Sequence, residues 1–202
     1  MIVTFLKAKH WQLFIVMLGI PLLFQFYTMF NMFSNLDSES NPNTENIMNT
    51  FQIFPIIMIL FSLVFFGWFW SIAIGLQKNI PEEIKMKVKK FKILFFIPFI
   101  YIIFFMIYMG GIFSGMETNR FPNGGGFVAI ILPLHLFSMF CILYSMYFVA
   151  KTIKTAELQR KTGFGDFAGE FFLLWFYFIG IWIIQPKVNK LYGKENTTAN
   201  NV

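Results

Sequence analysis

Two small sets of side chains in this 202-residue chain could do chemistry. The first is His135, inside a long apolar run, followed by Ser138, Cys141 and Tyr144 at every third position. Polar groups at such depth are often functional in membrane proteins. A haem or metal site would need a second ligand at matching depth, and the one other histidine, His10, stands at the edge of the first apolar run. We therefore read His135 as a neutral histidine bonding across to another helix, to Gln25 or a tyrosine. The second set is Asp166 and Glu170, four apart on one helix face just before the apolar run Phe171–Ile184. Such a pair suits a proton or cation site. It suits equally a pair of N-terminal charges that complement a helix dipole, which is the reading taken here.

The familiar catalytic patterns are missing. No Walker loop, GxSxG, HExxH, CxxC or dinucleotide glycine pattern occurs. Gly124, Gly125 and Gly126 lie in a loop rather than between a strand and a helix, so they do not read as a phosphate cradle. The lone Cys141 leaves no internal disulfide and no multi-cysteine metal site. The sequence thus points to no enzyme, no catalytic residue, no metal site and no cofactor.

Composition sets the class. Hydrophobic residues make up 57 % of the chain and charged residues 13 %, with mean hydropathy +0.64. Soluble domains are nearer a quarter charged. Thirty Phe, with five Trp and seven Tyr, suit helices that face lipid. Lys far outnumbers Arg, and Phe, Ile and Asn are abundant, which fits an AT-rich bacterial genome.

The elements that must position these residues follow from the apolar runs. Spans are expected at about 11–30, 51–76, 93–113 and 127–150, the first retained rather than cleaved as a signal peptide. Trp68 and Trp70 suit an interfacial belt. Asn31–Thr50 and Ser114–Gly126 read as loops. From Pro81 the spacing of Ile84, Val88, Phe91 and Phe95 predicts an amphipathic helix running into the third span, with Glu83–Lys87 an i,i+4 pair. Glu157–Lys161 is a second such pair. Residues 191–202 read as a disordered polar tail, and 1–190 as a single helical membrane domain.

The segment 167–185 is the unusual one. Its unbroken apolar core, Phe171–Ile184, holds 14 residues. As a helix that reaches about 21 Å, against roughly 30 Å of hydrocarbon. A re-entrant or interfacial segment is expected, the alternative being a fifth span, and Gly180 is the candidate turn. Charge agrees. With the N-terminus cytoplasmic, four spans and a segment that returns, 15 of the 16 Lys and Arg lie inside.

The fold class expected is therefore an all-α integral membrane protein. It has four transmembrane helices in two hairpins plus the short C-terminal segment, in a bacterial cytoplasmic membrane with both termini inside. Leu60-Phe61-Ser62 recurs as Leu136-Phe137-Ser138, each after a proline, which would fit a duplicated hairpin. The net charge of +6 falls in basic segments, Lys78–Lys92 and Lys151–Lys161, that suit anionic headgroups rather than nucleic acid. Lipid and other membrane proteins are the expected partners. Two functions remain: a non-catalytic accessory, assembly or scaffold subunit, or a small transporter or permease component using residues 163–190.

Overall fold

A stretch that meets no water has to pair its own N–H and C=O groups, and an α-helix does this within one segment. The computed structural model describes residues 1–36, 44–116 and 125–199, with side chains over 1–34, 53–112 and 129–193. Among these the regular structure is helical throughout. The helices are α1 (Ile2–Lys7), α2 (His10–Phe14), α3 (Ile20–Leu36), α4 (Thr44–Gly75), α5 (Val88–Met116), α6 (Gly125–Leu158), α7 (Phe164–Trp175) and α8 (Tyr177–Ala199). A π-helical turn, Ile15–Gly19, joins α2 to α3, and a 3-10 turn, Leu76–Asn79, follows α4. Four stretches are long and apolar enough to cross a membrane: His10–Ser34, Ile53–Asn79, Val88–Ile112 and Ala129–Leu158. The chain has the build of a multi-pass membrane protein.

Several boundaries differ from the sequence reading. The helices overrun the apolar stretches, because backbone beyond the hydrocarbon is satisfied by continuing the helix. Residues 44–50, expected as loop, are helical, while 37–43 and 117–124 of the two expected loops lie outside the described residues. In place of an amphipathic helix from Pro81, residues 80–87 are irregular. Ile84 N–H closes a turn onto the Pro81 carbonyl at 2.9 Å, and α5 starts at Val88. A helix there would stack Lys85 on Lys89 at i,i+4. The irregular path instead lays Ile80 and Met86 on the core. At the other end α8 continues to Ala199, so 191–199 are helical where disorder was expected. Leu191 is buried, and its carbonyl accepts from Asn79 Nδ2 at 3.1 Å. Residues 200–202 lie outside the described set.

The core sits at one end of the bundle. Buried residues cluster at 62–76 of α4 and its 3-10 turn, 91–101 of α5, 138–156 of α6 and 167–191 of α7 and α8, joined by Leu6, Leu13 and Met17. Phe66 packs on Phe95 and Phe99, and Phe91 stacks on Phe148 with centroids 4.5 Å apart. Away from this end the large side chains face outward, among them Phe26, Phe30, Phe104 and Ile130.

The N-terminal head is part of that core. α1 lies against α4 where glycines let it approach. A Cβ on Gly75 would come 2.5 Å from Leu6 Cδ1, and one on Gly67 3.0 Å from the Phe5 ring. Trp68, expected to face an interfacial belt, has its side chain turned into the protein. It is fully buried between α4 and α8, because its indole N–H finds a partner there.

Candidate functional site

The chain leaves α6 through Gln159, whose φ of 53° is the left-handed conformation that commonly ends a helix. Its N–H bonds to the Thr155 carbonyl at 2.9 Å, and its side chain donates to the Asn79 carbonyl at 2.8 Å. Thr155 and Thr162 hydroxyls, 2.8 Å apart, close the turn beneath it. α7 then begins with Asp166 accepting from the Gly163 N–H at 2.8 Å, the reciprocal contact of a capping box. Arg160 donates to both Asp166 oxygens, at 2.8 and 3.3 Å. The Arg160 guanidinium and then the Gly163 N–H hold the Asp166 carboxyl below the usual carboxylate range. Asp166 therefore caps α7, as its position in the first turn suggests.

Glu170, one turn on, does something else. α7 ends at Trp175, the chain turns at Phe176 (φ −91°, ψ 57°), and α8 returns along α7. The Phe176 carbonyl accepts from both the Ile179 and Gly180 N–H groups, at 3.0 and 2.9 Å, and the Phe176 N–H bonds Phe172 O at 2.9 Å. Gly180 is not the turn. It lies within α8 with no positive φ, four residues past the break, where α8 presses on α7. A Cβ there would overlap the Leu173 carbonyl oxygen and come 2.6 Å from its carbon.

The return brings Lys187 to Glu170 at 2.8 Å. Lys187 also meets Glu157 at 3.0 Å, Glu157 meets Lys154 at 2.9 Å, and Lys154 meets Glu170 at 3.3 Å. Four charges of alternating sign form a closed ring that ties α6, α7 and α8 together. Glu157 pairs with these two lysines rather than with Lys161, because α6 ends at Leu158 and the left-handed Gln159 takes Lys161 off the helical face that Glu157 occupies. The Glu170 side chain is 8 % exposed. Each carboxylate of the ring already has two ammonium partners.

A second lock sits beside the ring. Gln185 of α8 is fully buried, its Oε1 accepting from Trp68 Nε1 at 2.7 Å. Its Nε2 lies 2.8 and 2.9 Å from the Phe5 and Ala8 carbonyls and 2.7 Å from Asn189 Oδ1. Asn189 Nδ2 also donates to Ala8 O, at 3.0 Å. These carbonyls lie at the C-terminal end of α1, where Phe5 O also accepts from the Ala8 N–H at 3.3 Å. The ends of α1, α4 and α6 thus meet the middle of α8.

His135 stands apart from both locks. Its Nδ1 is 3.1 Å from Tyr101 Oη on α5, across the helix interface. Ser138 Oγ is buried without a partner, whereas Ser62, its counterpart in the possible repeat, bonds back to Met58 O at 2.7 Å. Among the described residues no three His, Cys, Asp or Glu side chains converge as a metal site would require. Sequence reasoning missed Gln185, Lys187, Lys154 and Glu157. Gln185 left a signal, being the amide that follows an otherwise apolar run and precedes Pro186. No family model matches the chain, and neither a curated protein nor a solved structure matches it.

Proposed function

We propose that the protein is a non-catalytic subunit of a membrane complex, an accessory, assembly or scaffold component of a bacterial cytoplasmic membrane. The observation that carries this reading is the use of its membrane-region polar groups. Glu170, Gln185 and His135 are each engaged in bonds that hold one helix to another, and Asp166 caps α7. A transporter of the size and kind considered would keep a carboxylate open to its solute. The outward-facing aromatic and aliphatic side chains of α3 and of the first half of α6 offer surface to lipid or to helices of a partner.

The topology that goes with this reading has four spans in two hairpins, both termini cytoplasmic and residues 167–185 dipping into the bilayer and returning. Three features support it. α7, at 12 residues, is about 18 Å long, too short to cross about 30 Å of hydrocarbon. The bonds around Phe176 give its own N–H and C=O, and the Ile179 and Gly180 N–H groups, partners within the chain. Bonds from Asn79 to Leu191 and from Gln185 to Ala8 gather the head and the return of α8 at one end of the bundle.

Purification from native membranes in mild detergent tests the function, since a subunit brings stoichiometric partner proteins. If the chain purifies alone and in liposomes carries a solute or ion flux that Glu170→Gln abolishes, the subunit reading fails. Single cysteines at Ser40, Lys87 and Asn200 in a Cys141→Ser background test the topology. On intact cells an impermeant thiol reagent should label position 40 alone, and labelling at 200 would mean that the last apolar segment crosses.

A further inference from the structure

Basic residues from two segments far apart in the chain meet in one cleft. Lys85, Lys87 and Lys90, from the irregular segment and the first turn of α5, share a cavity of about 470 Å³ with Lys151 of α6 and Lys161 of the α6–α7 turn. Tyr144, Tyr147 and the buried Phe148 form its wall on α6. Lys90 lies 5.2 Å from the Tyr144 ring centroid, and Lys151 5.9 Å from that of Tyr147. The ion pairs among the described residues belong to the four-charge ring and to Arg160 with Asp166. Among the described residues, none of the five cleft lysines is paired with a carboxylate.

Five ammonium groups gathered around one cavity repel one another, and an anion placed among them relieves that repulsion. The volume is that of a small-molecule site rather than of a monatomic ion. Lysines with tyrosine hydroxyls nearby suit a phosphate group, which carries charge and several acceptor oxygens. An adjoining open groove adds the deciding feature. It shares Lys87 and Lys90 with the cleft and is continued by Ile93 and Leu94, with Ile93 59 % exposed. Charged head space thus runs directly into apolar tail space on the outer face of α5.

We propose that this cleft binds the phosphate-bearing headgroup of an anionic phospholipid, with an acyl chain laid along Ile93 and Leu94. Lys85, Lys87, Lys90, Lys151 and Lys161 supply the charge. Tyr144 and Tyr147 hold Lys90 and Lys151 in place through their ring faces. The site depends on the chain being a membrane protein and not on its being a subunit, so the two proposals stand or fall separately.

The test uses the full chain in an uncharged detergent, with bound lipid counted by native mass spectrometry. It is titrated with dioleoylphosphatidylglycerol, with dioleoylphosphatidylcholine, and with glycerol phosphate or inorganic phosphate as competitor. Phosphatidylglycerol should bind ahead of phosphatidylcholine. The pair Lys90→Gln/Lys151→Gln should weaken phosphatidylglycerol about 30-fold, from the worth of one ammonium near an anionic lipid taken twice. Because Lys90 and Lys151 also touch aromatic rings, the exposed pair Lys85→Gln/Lys161→Gln is measured beside it and should show a comparable loss. Lys7→Gln/Lys9→Gln, with the same change of charge outside the cleft, should stay within about threefold. Equal losses in the cleft and control variants would overturn the site. Displacement of the lipid by glycerol phosphate or inorganic phosphate at equal concentration would overturn the lipid as its occupant.

Discussion

Gly180→Ala gives the sharpest test, because the geometry predicts the opposite sign from helix propensity. At an ordinary helical position this change stabilises by about 1 kcal/mol. At position 180 the new methyl would overlap the Leu173 carbonyl oxygen and stand 2.6 Å from the carbonyl carbon. Both atoms are backbone, so no rotamer change relieves the overlap. α8 has to move off α7 by roughly 1 Å or more to restore ordinary contact, and that shift also stretches the 2.8 Å pair of Glu170 with Lys187. Overpacking of this kind costs about 1–3 kcal/mol. At about 2–4 °C per kcal/mol for a chain of this size, the melting temperature should fall by about 2–12 °C. The assay is thermal unfolding in mild detergent. Gly169→Ala on α7 serves as control, since a Cβ there meets nothing within 4 Å, and it should be neutral or stabilising. If Gly180→Ala melts at or above the parent while Gly169→Ala behaves as stated, the close approach of α7 and α8 is wrong.

Two more outcomes follow from the two locks. Glu170→Gln leaves Lys154 and Lys187 to share Glu157 and should cost about 1–3 kcal/mol, less than a fully buried pair because the lysines are partly exposed. Gln185→Met keeps the volume but strands the Trp68 N–H and takes one of two donors from each of the Phe5 and Ala8 carbonyls. It should cost about 1–3 kcal/mol and make the N-terminal head more susceptible to proteolysis, and an unchanged melt with a protected head would count against the lock.

The class of the protein and its four long helices could be read from sequence alone. Solvent preference there is a sum over twenty or so neighbouring residues, and it needs no knowledge of partners. The same holds for the Asp166 cap, whose partner N–H is three residues away. Partners distant in the chain belong to tertiary structure. Glu170 lies four residues from Asp166 and looks equivalent to it, but the return of α8 leaves one a cap and makes the other the buried member of a charged ring. Gly180 looked like a turn because glycine permits one, whereas the chain turned at Phe176 and used the glycine for contact with Leu173. The head, Trp68 and Gln185 are up to 180 residues apart, and no local pattern links them. Local spacing reports what a segment prefers by itself. Which helix faces which, and so which polar groups meet, is decided by packing volume and by the need of every buried donor and acceptor to find a partner.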